Sequence, residues 1–272
     1  MVGQKDSQSK KPMIQDKARI ISNENIKGSY WHCVAESKAI SKAASPGQFV
    51  NVKFGEQPEP LLRRPFSIHM VEGTRIKIMY EVLGRSTQIF SQKKAGDVLD
   101  IIGPLGNGFD YQLSAVSRHL SVIVAGGMGV APLVFLASKL KKRDTIVLLG
   151  AKTKNHVFCE GEFKKMGYQV KVATDDGSKG FKGKVTDLLK DILSLAISHK
   201  PLAIYACGPK PMLKEISVVS AKYNISAQIS LEEHMGCGIG ACLGCVVDTK
   251  DGYRRVCHDG PVFDAGQIIW RE

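Results

Sequence analysis

Four of the seven cysteines in this 272-residue chain fall in one segment, "HMGCGIGACLGCVVDTKDGYRRVCHDG" (234–260). Cys237, Cys242 and Cys245 follow a C-x4-C-x2-C spacing, and Cys257 comes twelve residues after Cys245. Thiolates at this spacing converge on a two-iron, two-sulfur cluster. Gly236, Gly238, Gly240, Ala241 and Gly244 surround them, and small residues let backbone amides approach cluster sulfurs and tune their potential. Four thiolates also satisfy a structural zinc ion. Zinc sites commonly pair two short cysteine knuckles, whereas three of these cysteines share one glycine loop, which favours iron and sulfide. Disulfides fit poorly, because the polar N-terminus "MVGQKDSQSKKP" has no apolar secretory core and reads as a flexible leader (1–13) on a cytoplasmic protein.

An isolated cluster passes single electrons, so the rest of the chain is expected to supply or accept them. Residues 14–114 are strand-rich: "GQFVNVKF", "RRPFSIHMV", "RIKIMYEVL" and "GDVLDIIGPLG" are short alternating runs bounded by Gly, Pro or polar residues. They predict a small antiparallel barrel or sandwich. From 115 to 226 strands alternate with helices. "LSVIVAGGMG" enters a helix "APLVFLASKLKKR", and "TIVLLGAK", "YQVKVATDDG" and "PLAIYACG" are each separated from the next by helical stretches. That order predicts a parallel sheet covered on both faces. Residues 227–272, with a strand at "SAQISLEE", carry the cluster. The fold class expected is α+β and multidomain: barrel, Rossmann-like α/β unit and a small iron–sulfur segment.

Each half offers a phosphate site. In "RRPFSI", Arg64 can grip a diphosphate by forked hydrogen bonds, and Ser67 follows on a strand whose backbone can pair with a flavin ring. "YEVLGRST" adds a glycine turn with the hydroxyls of Ser86 and Thr87. Gly126, Gly127, Met128 and Gly129 stand at the mouth of a helix, where unpaired amides and the dipole favour phosphate. No acidic residue stands at the expected ribose position, which reads "LLGAKTK" with Lys152 and Lys154. Asp175 and Asp176 in "TDDG" either border the nucleotide or make a turn. Cys207, Gly208 and Pro209 in "CGPKPML" sit at the carboxyl edge of the sheet, where such folds bind ligands. Core packing is the plain reading of Cys207, and its place before Gly-Pro favours a nicotinamide-facing, catalytic role. The net charge of +12 comes from dispersed lysines without interleaved aromatics, so nucleic acid is not the expected partner. The longest apolar run, 122–137, is broken by glycines and Pro132, which argues against a membrane span.

Taken together, "RRPFS", "AGGMGVAPL", "CGPKPML", "LEEHMGCGIGACLGCVV" and "RRVCHDGPVF" resemble the electron-transfer subunit of NAD-dependent (type 1B) dihydroorotate dehydrogenase, within the ferredoxin–NADP reductase superfamily. The resemblance runs from about residue 14 to the C-terminus. It implies a barrel holding FAD through Arg64, Pro65, Phe66 and Ser67, helped by Met79, Tyr80, Glu81, Ser86 and Thr87. It also implies an NAD-binding domain and a [2Fe-2S] cluster on Cys237, Cys242, Cys245 and Cys257. The implied partner is an FMN-containing catalytic subunit that oxidises dihydroorotate in pyrimidine biosynthesis, in a heterotetramer of two pairs. The alternative is the flavin and iron–sulfur subunit of another NAD(P)-linked enzyme, such as a ferredoxin-NADP or sulfide oxidoreductase or a hydrogenase. Ser86 departs from the family by replacing a glycine beside the flavin diphosphate. Ala125 likewise stands where a third glycine often opens the nucleotide loop. Absorbance decides between cluster and zinc: the anaerobically purified protein is expected to be yellow-brown with inorganic sulfide, and a colourless zinc-loaded protein would refute this reading.

Overall fold

The computed structural model describes residues 13–54, 60–112, 120–195 and 201–271. Apart from Met13, the expected leader lies outside the described residues, as does the expected boundary at 114/115.

The first half is a seven-stranded antiparallel sheet with two short helices. Its strands are β1 (Ile14–Lys27), β2 (Tyr30–Glu36), β3 (Phe49–Lys53), β4 (Arg64–Ser67), β5 (Met70–Glu72), β6 (Arg75–Glu81) and β7 (Val98–Leu105), with helices α1 (Lys38–Ala43) and α2 (Arg85–Gln92). The alternating runs mark β3, β6 and β7, whereas β1 carries charged and amide residues that hide its periodicity. The run "RRPFSIHMV" is not one strand. It breaks at Ile68 and His69 into β4 and β5, which lie at opposite edges of the order β4-β3-β7-β1-β2-β6-β5. One short turn therefore joins both edges and curls the sheet upon itself. His69 holds that turn: it is buried, and its backbone N–H donates to the Lys77 carbonyl at 2.8 Å.

Inward-facing Ile20, Ile78, Leu99 and Ile101 fill the barrel. Phe90 of α2 is fully buried and stacks on Tyr80, with ring centroids 4.2 Å apart. Phe54 and Phe66 meet Phe90 at 5.1 and 5.5 Å. This aromatic knot fixes where α2 begins, which matters below.

The second half is a sheet in the order β11-β10-β9-β8-β12-β13-β16. It comprises β8 (Leu120–Gly126), β9 (Thr145–Ala151), β10 (Gln169–Thr174), β11 (Phe181–Lys182), β12 (Pro201–Cys207) and β13 (Ser226–Ser230), with β16 (Val262–Asp264) after the hairpin β14 (Val246–Thr249) and β15 (Gly252–Arg255). All neighbours are parallel except β13 and β16. The expected cluster segment thus lends β13 and β16 to the nucleotide sheet. Helices α3 (Ala131–Ala137), α4 (Glu160–Lys165), α5 (Val185–Leu195) and α6 (Lys210–Tyr223) cover both faces. Val122, Val124 and Leu148 pack with α5 and α6, while Ile123, Val147 and Leu149 pack with α3 and α4. Burial on both faces explains the unbroken apolar runs.

Helix α3 stops at Ala137 rather than running through "SKLKKR". The Tyr168 hydroxyl donates to the carbonyls of Ala137 and Leu140, and Ser138 donates to that of Phe135, so side chains satisfy the carbonyls that further helix would have used. The halves meet where Phe109 stands edge-on to Tyr205 at 5.8 Å and the Gln228 amide exchanges two hydrogen bonds with the Asp110 backbone. Among the described residues no helix is long and apolar enough to cross a membrane. Truncating Phe90→Ala is expected to cost about 3–5 kcal/mol in urea unfolding, and to release flavin from folded protein, because α2 loses its anchor.

Candidate functional site

A cavity of about 800 Å³ opens between the two halves, well inside the size range of small-molecule sites. Its barrel wall is β4, part of β6 and the first turn of α2. Because β4 is an edge strand, one side of its backbone is left for a ligand to pair with. Arg64 folds its Nη1 onto the carbonyls of Leu62 and Arg63, at 2.9 and 3.3 Å, and lines the cavity with Pro65, Phe66 and Ser67. Met79, Tyr80 and Glu81 continue the wall. The Tyr80 hydroxyl turns away to donate to Asn23 at 3.0 Å, and burial raises its pKa, so it serves as a neutral aromatic surface. Glu81 accepts from the Ser29 hydroxyl at 3.1 Å.

The first turn of α2 enters the cavity through Gly84, Arg85, Ser86 and Thr87. Thr87 Oγ1 accepts the amides of Leu83 and Gly84 at 2.9 and 3.2 Å and so caps the helix. The helix N-terminus, with Arg64 opposite, suits a diphosphate. An edge strand for a planar ring and a helix end for phosphates together fit a dinucleotide flavin.

On the other wall, the turn after β8 contributes Met128 and the start of α3 contributes Ala131. Gly126, Gly127, Gly129, Gly208 and Pro209 gather behind it at the carboxyl ends of β8 and β12, whose residues Ala125 and Cys207 pair directly. A Cβ on Gly129 would overlap the Cys207 carbonyl, which is why the two loops can touch. Cys207 is only 1% exposed and is not among the residues lining the cavity, and burial raises its pKa, so the structure presents a thiol beneath the floor. Asp176 closes a turn by accepting from the Ser178 amide and hydroxyl at 2.9 and 2.6 Å, and Asp175 donates its amide to the Ala151 carbonyl.

The third wall was not anticipated. Ser230, Leu231, Glu232, Glu233 and Met235 line the cavity immediately before Cys237. Chain leaving β13 must pass the cavity to reach the cluster loop, and the acidic pair in "LEEHM" was the available signal. Burial raises the Glu232 carboxyl.

The loop's amides turn onto its sulfurs. Those of Ile239, Ala241 and Cys242 lie 3.5, 3.3 and 3.4 Å from Cys237 Sγ. Gly240 N–H reaches Cys257 Sγ at 3.1 Å, Gly244 reaches Cys242 at 3.5 Å and Cys257 reaches Cys245 at 3.4 Å. Burial raises the Cys237 thiol, but the amides outweigh it and bring the pKa down to about 6, making thiolate the neutral-pH form. Burial and Cys245 push Cys257 up to about 12, which a bound cation reverses. Four thiolates, three of them in one loop, with a backbone amide reaching each sulfur, are the donor set of a two-iron cluster. Donor set and spacing therefore fit a two-iron cluster. Cys245 and Cys257 are buried, while Cys242 is exposed.

Two clamps hold the loop. Asn51 of β3 donates to the Cys237 carbonyl at 3.1 Å, and its register partner is Pro65 of β4. Arg255 donates to the Gly240 carbonyl at 3.0 Å and grips Asp259 twice; Asp259 is held well below the carboxylate range by that guanidinium despite its burial.

A family model described as the iron–sulfur cluster binding domain of dihydroorotate dehydrogenase B matches residues 232–269, and one for an oxidoreductase NAD-binding domain matches 123–217. The dihydroorotate dehydrogenase B (NAD(+)) electron transfer subunit of Desulforamulus reducens is 41% identical over 261 residues, covering 93% of this chain and 97% of the relative. That of Caldanaerobacter subterraneus is 40% identical, covering 93% and 98%. The chain belongs to this family of electron transfer subunits. Among solved structures, an NADH-dependent reduced ferredoxin-NADP oxidoreductase studied for flavin-based electron bifurcation superimposes with a TM-score of 0.78 at 27% identity, covering 93% of this chain and 90% of the other. A Neisseria gonorrhoeae ferredoxin NADP+ reductase shares the fold alone, with a TM-score of 0.63 at 14% identity, covering 77% and 91%.

For this subunit, a side chain at Gly238 is the sharpest probe of the loop. Its φ is +71° and a Cβ would strike the Asn51 amide. Gly238→Val is expected to cost at least about 1–2 kcal/mol from backbone conformation and to lower iron per flavin in the purified protein, whereas Gly28→Ala, with open space around it, leaves that ratio unchanged.

Proposed function

We propose that this subunit takes electrons from an FMN-containing catalytic dihydroorotate dehydrogenase subunit and delivers them through its [2Fe-2S] cluster and FAD to NAD+, in a cytoplasmic heterotetramer of two such pairs. The observation that carries the reading is the continuity of Ser230, Leu231, Glu232, Glu233 and Met235 on the cavity wall with Cys237 of the cluster loop. Bound FAD exchanges a hydride with nicotinamide and single electrons with a cluster, so it joins a two-electron carrier to a one-electron one.

In this reading the chain divides its work by region: 14–114 for FAD, 115–226 for NAD and 227–272 for the cluster. Arg64, Ser67 and the first turn of α2 hold the flavin diphosphate. Pro65, Phe66, Met79 and Tyr80 wall its ring, and the β4 edge orients it. Met128, with the turns at Gly126–Gly129 and Gly208–Pro209, receives the nicotinamide nucleotide, and Cys207 sets the floor beneath it. Cys237, Cys242, Cys245 and Cys257 ligate iron.

The partner docks over the loop. Ile239, Leu243, Val246 and Tyr253 are exposed apolar residues around it, and their burial would exclude water from the crossing point. Cys242 is exposed, which leaves that ligand open to a docking partner.

Anaerobic titration of the isolated subunit tests the division of labour. NADH is expected to bleach both flavin and cluster absorbance, and dihydroorotate to bleach neither until the catalytic subunit is added. An isolated subunit that oxidises dihydroorotate overturns the reading.

A further inference from the structure

At the seam between the halves, and apart from the cluster, three different metal-ligating atoms converge. His69, Cys159 and Glu162 place one ring nitrogen, one sulfur and one carboxylate oxygen all within 4.8 Å of one another. His69 comes from the β4–β5 turn of the barrel, Cys159 from the residue before α4 and Glu162 from its first turn. The His69 side chain is 2% exposed and that of Glu162 is 50%, so the group is buried on one side and reachable from solvent on the other.

The imidazole is oriented as a ligand's would be. His69 Nδ1 lies 2.8 Å from the Ala131 carbonyl, which can only accept, so Nδ1 carries the proton. Nε2 then presents its lone pair, or a second proton, to the Glu162 carboxylate at 3.2 Å. A backbone carbonyl fixing the far nitrogen is the usual support of a metal-bound histidine. The Cys159 sulfur stands 3.7 Å from Met79 Sδ, and the His32 ring meets that of His69 edge-on at 5.5 Å. Nitrogen, sulfur and carboxylate oxygen in this proximity suit a borderline divalent cation.

We propose that His69, Cys159 and Glu162 form a zinc site that pins α4 of the nucleotide-binding half to the barrel. Zinc takes the Nε2 lone pair, the Cys159 thiolate and one Glu162 oxygen, with water as the fourth ligand. The thiol proton leaves to solvent, and the two anionic ligands balance the charge of the ion. The site differs from the cluster in donor type and in place. It stands behind Met79, which is also on the flavin cavity wall, so an ion there stiffens the seam where flavin and nucleotide must meet. The proposal is independent of which partner feeds the cluster.

The test uses anaerobic holoprotein with full iron, sulfide and flavin, so the cluster cysteines are already occupied. After zinc addition and dialysis, about one zinc per chain is expected, with an X-ray absorption shell of one sulfur and three nitrogen or oxygen atoms. Cys159→Ser removes the sulfur from that shell, and Cys159→Ser and His69→Gln each weaken binding by more than about tenfold. Zinc also raises the Tm of the native protein and not of the variants. Should either buried substitution lose flavin or iron, Glu162→Gln on the solvent side replaces it and is expected to weaken binding likewise. Holoprotein that retains no zinc, zinc in an all-sulfur shell, or affinity unchanged by all three substitutions overturns the site.

Discussion

Backbone amides can hold four thiolates in place only if something outside the loop keeps those amides pointed inward. Here that task falls to Asn51 and Arg255, which hold the carbonyls of Cys237 and Gly240, the residues at the loop's start and middle. With the carbonyls held, the amides of the same peptide units and their neighbours turn toward Cys237 and Cys257. Amides stabilise the Cys237 thiolate, whereas Cys257 needs a bound cation to lose its proton, so loop and ligand complete one another.

The same constraint ties the cysteine loop to the cavity between the halves. Asn51 lies in β3 and faces Pro65 across the ladder, so the strand that clamps the cluster loop is hydrogen-bonded to the strand that lines the cavity. From the other side, β13 ends at Ser230, the Leu231 amide donates to the Pro261 carbonyl at 2.9 Å, and Leu231, Glu232, Glu233 and Met235 line the cavity on the way to Cys237. Two separate covalent and hydrogen-bonded routes thus converge on one spot.

Much of this arrangement was legible. The βαβ order appeared in apolar runs because parallel strands buried on both faces cannot alternate in polarity. The four cysteines fall close together in sequence, as do Arg64 through Ser67 and Ser86 with Thr87, so local spacing groups them, and the fold brings the last two groups to one cavity. Less visible was the break at Ile68 and His69, where an alternating run looks continuous but separates two strands on opposite edges. The end of α3 was hidden too, since the hydroxyl that satisfies its last carbonyls belongs to Tyr168, some thirty residues away.

Composition and short-range pattern therefore suffice for the grouping of the four thiols, the strand–helix alternation and the approximate position of most helices after residue 120, all of which depend on neighbours a few residues apart. Depth, by contrast, is a property of packing. That Cys207 lies beneath the floor while Met128 reaches the cavity depends on how two loops from distant strands press together around Gly129. That Glu232 borders the cavity, and that His69 meets Cys159 and Glu162 across a seam, depends on which edges of two sheets are brought face to face. No local spacing encodes that docking, because its energy comes from apolar surface buried between segments a hundred residues apart.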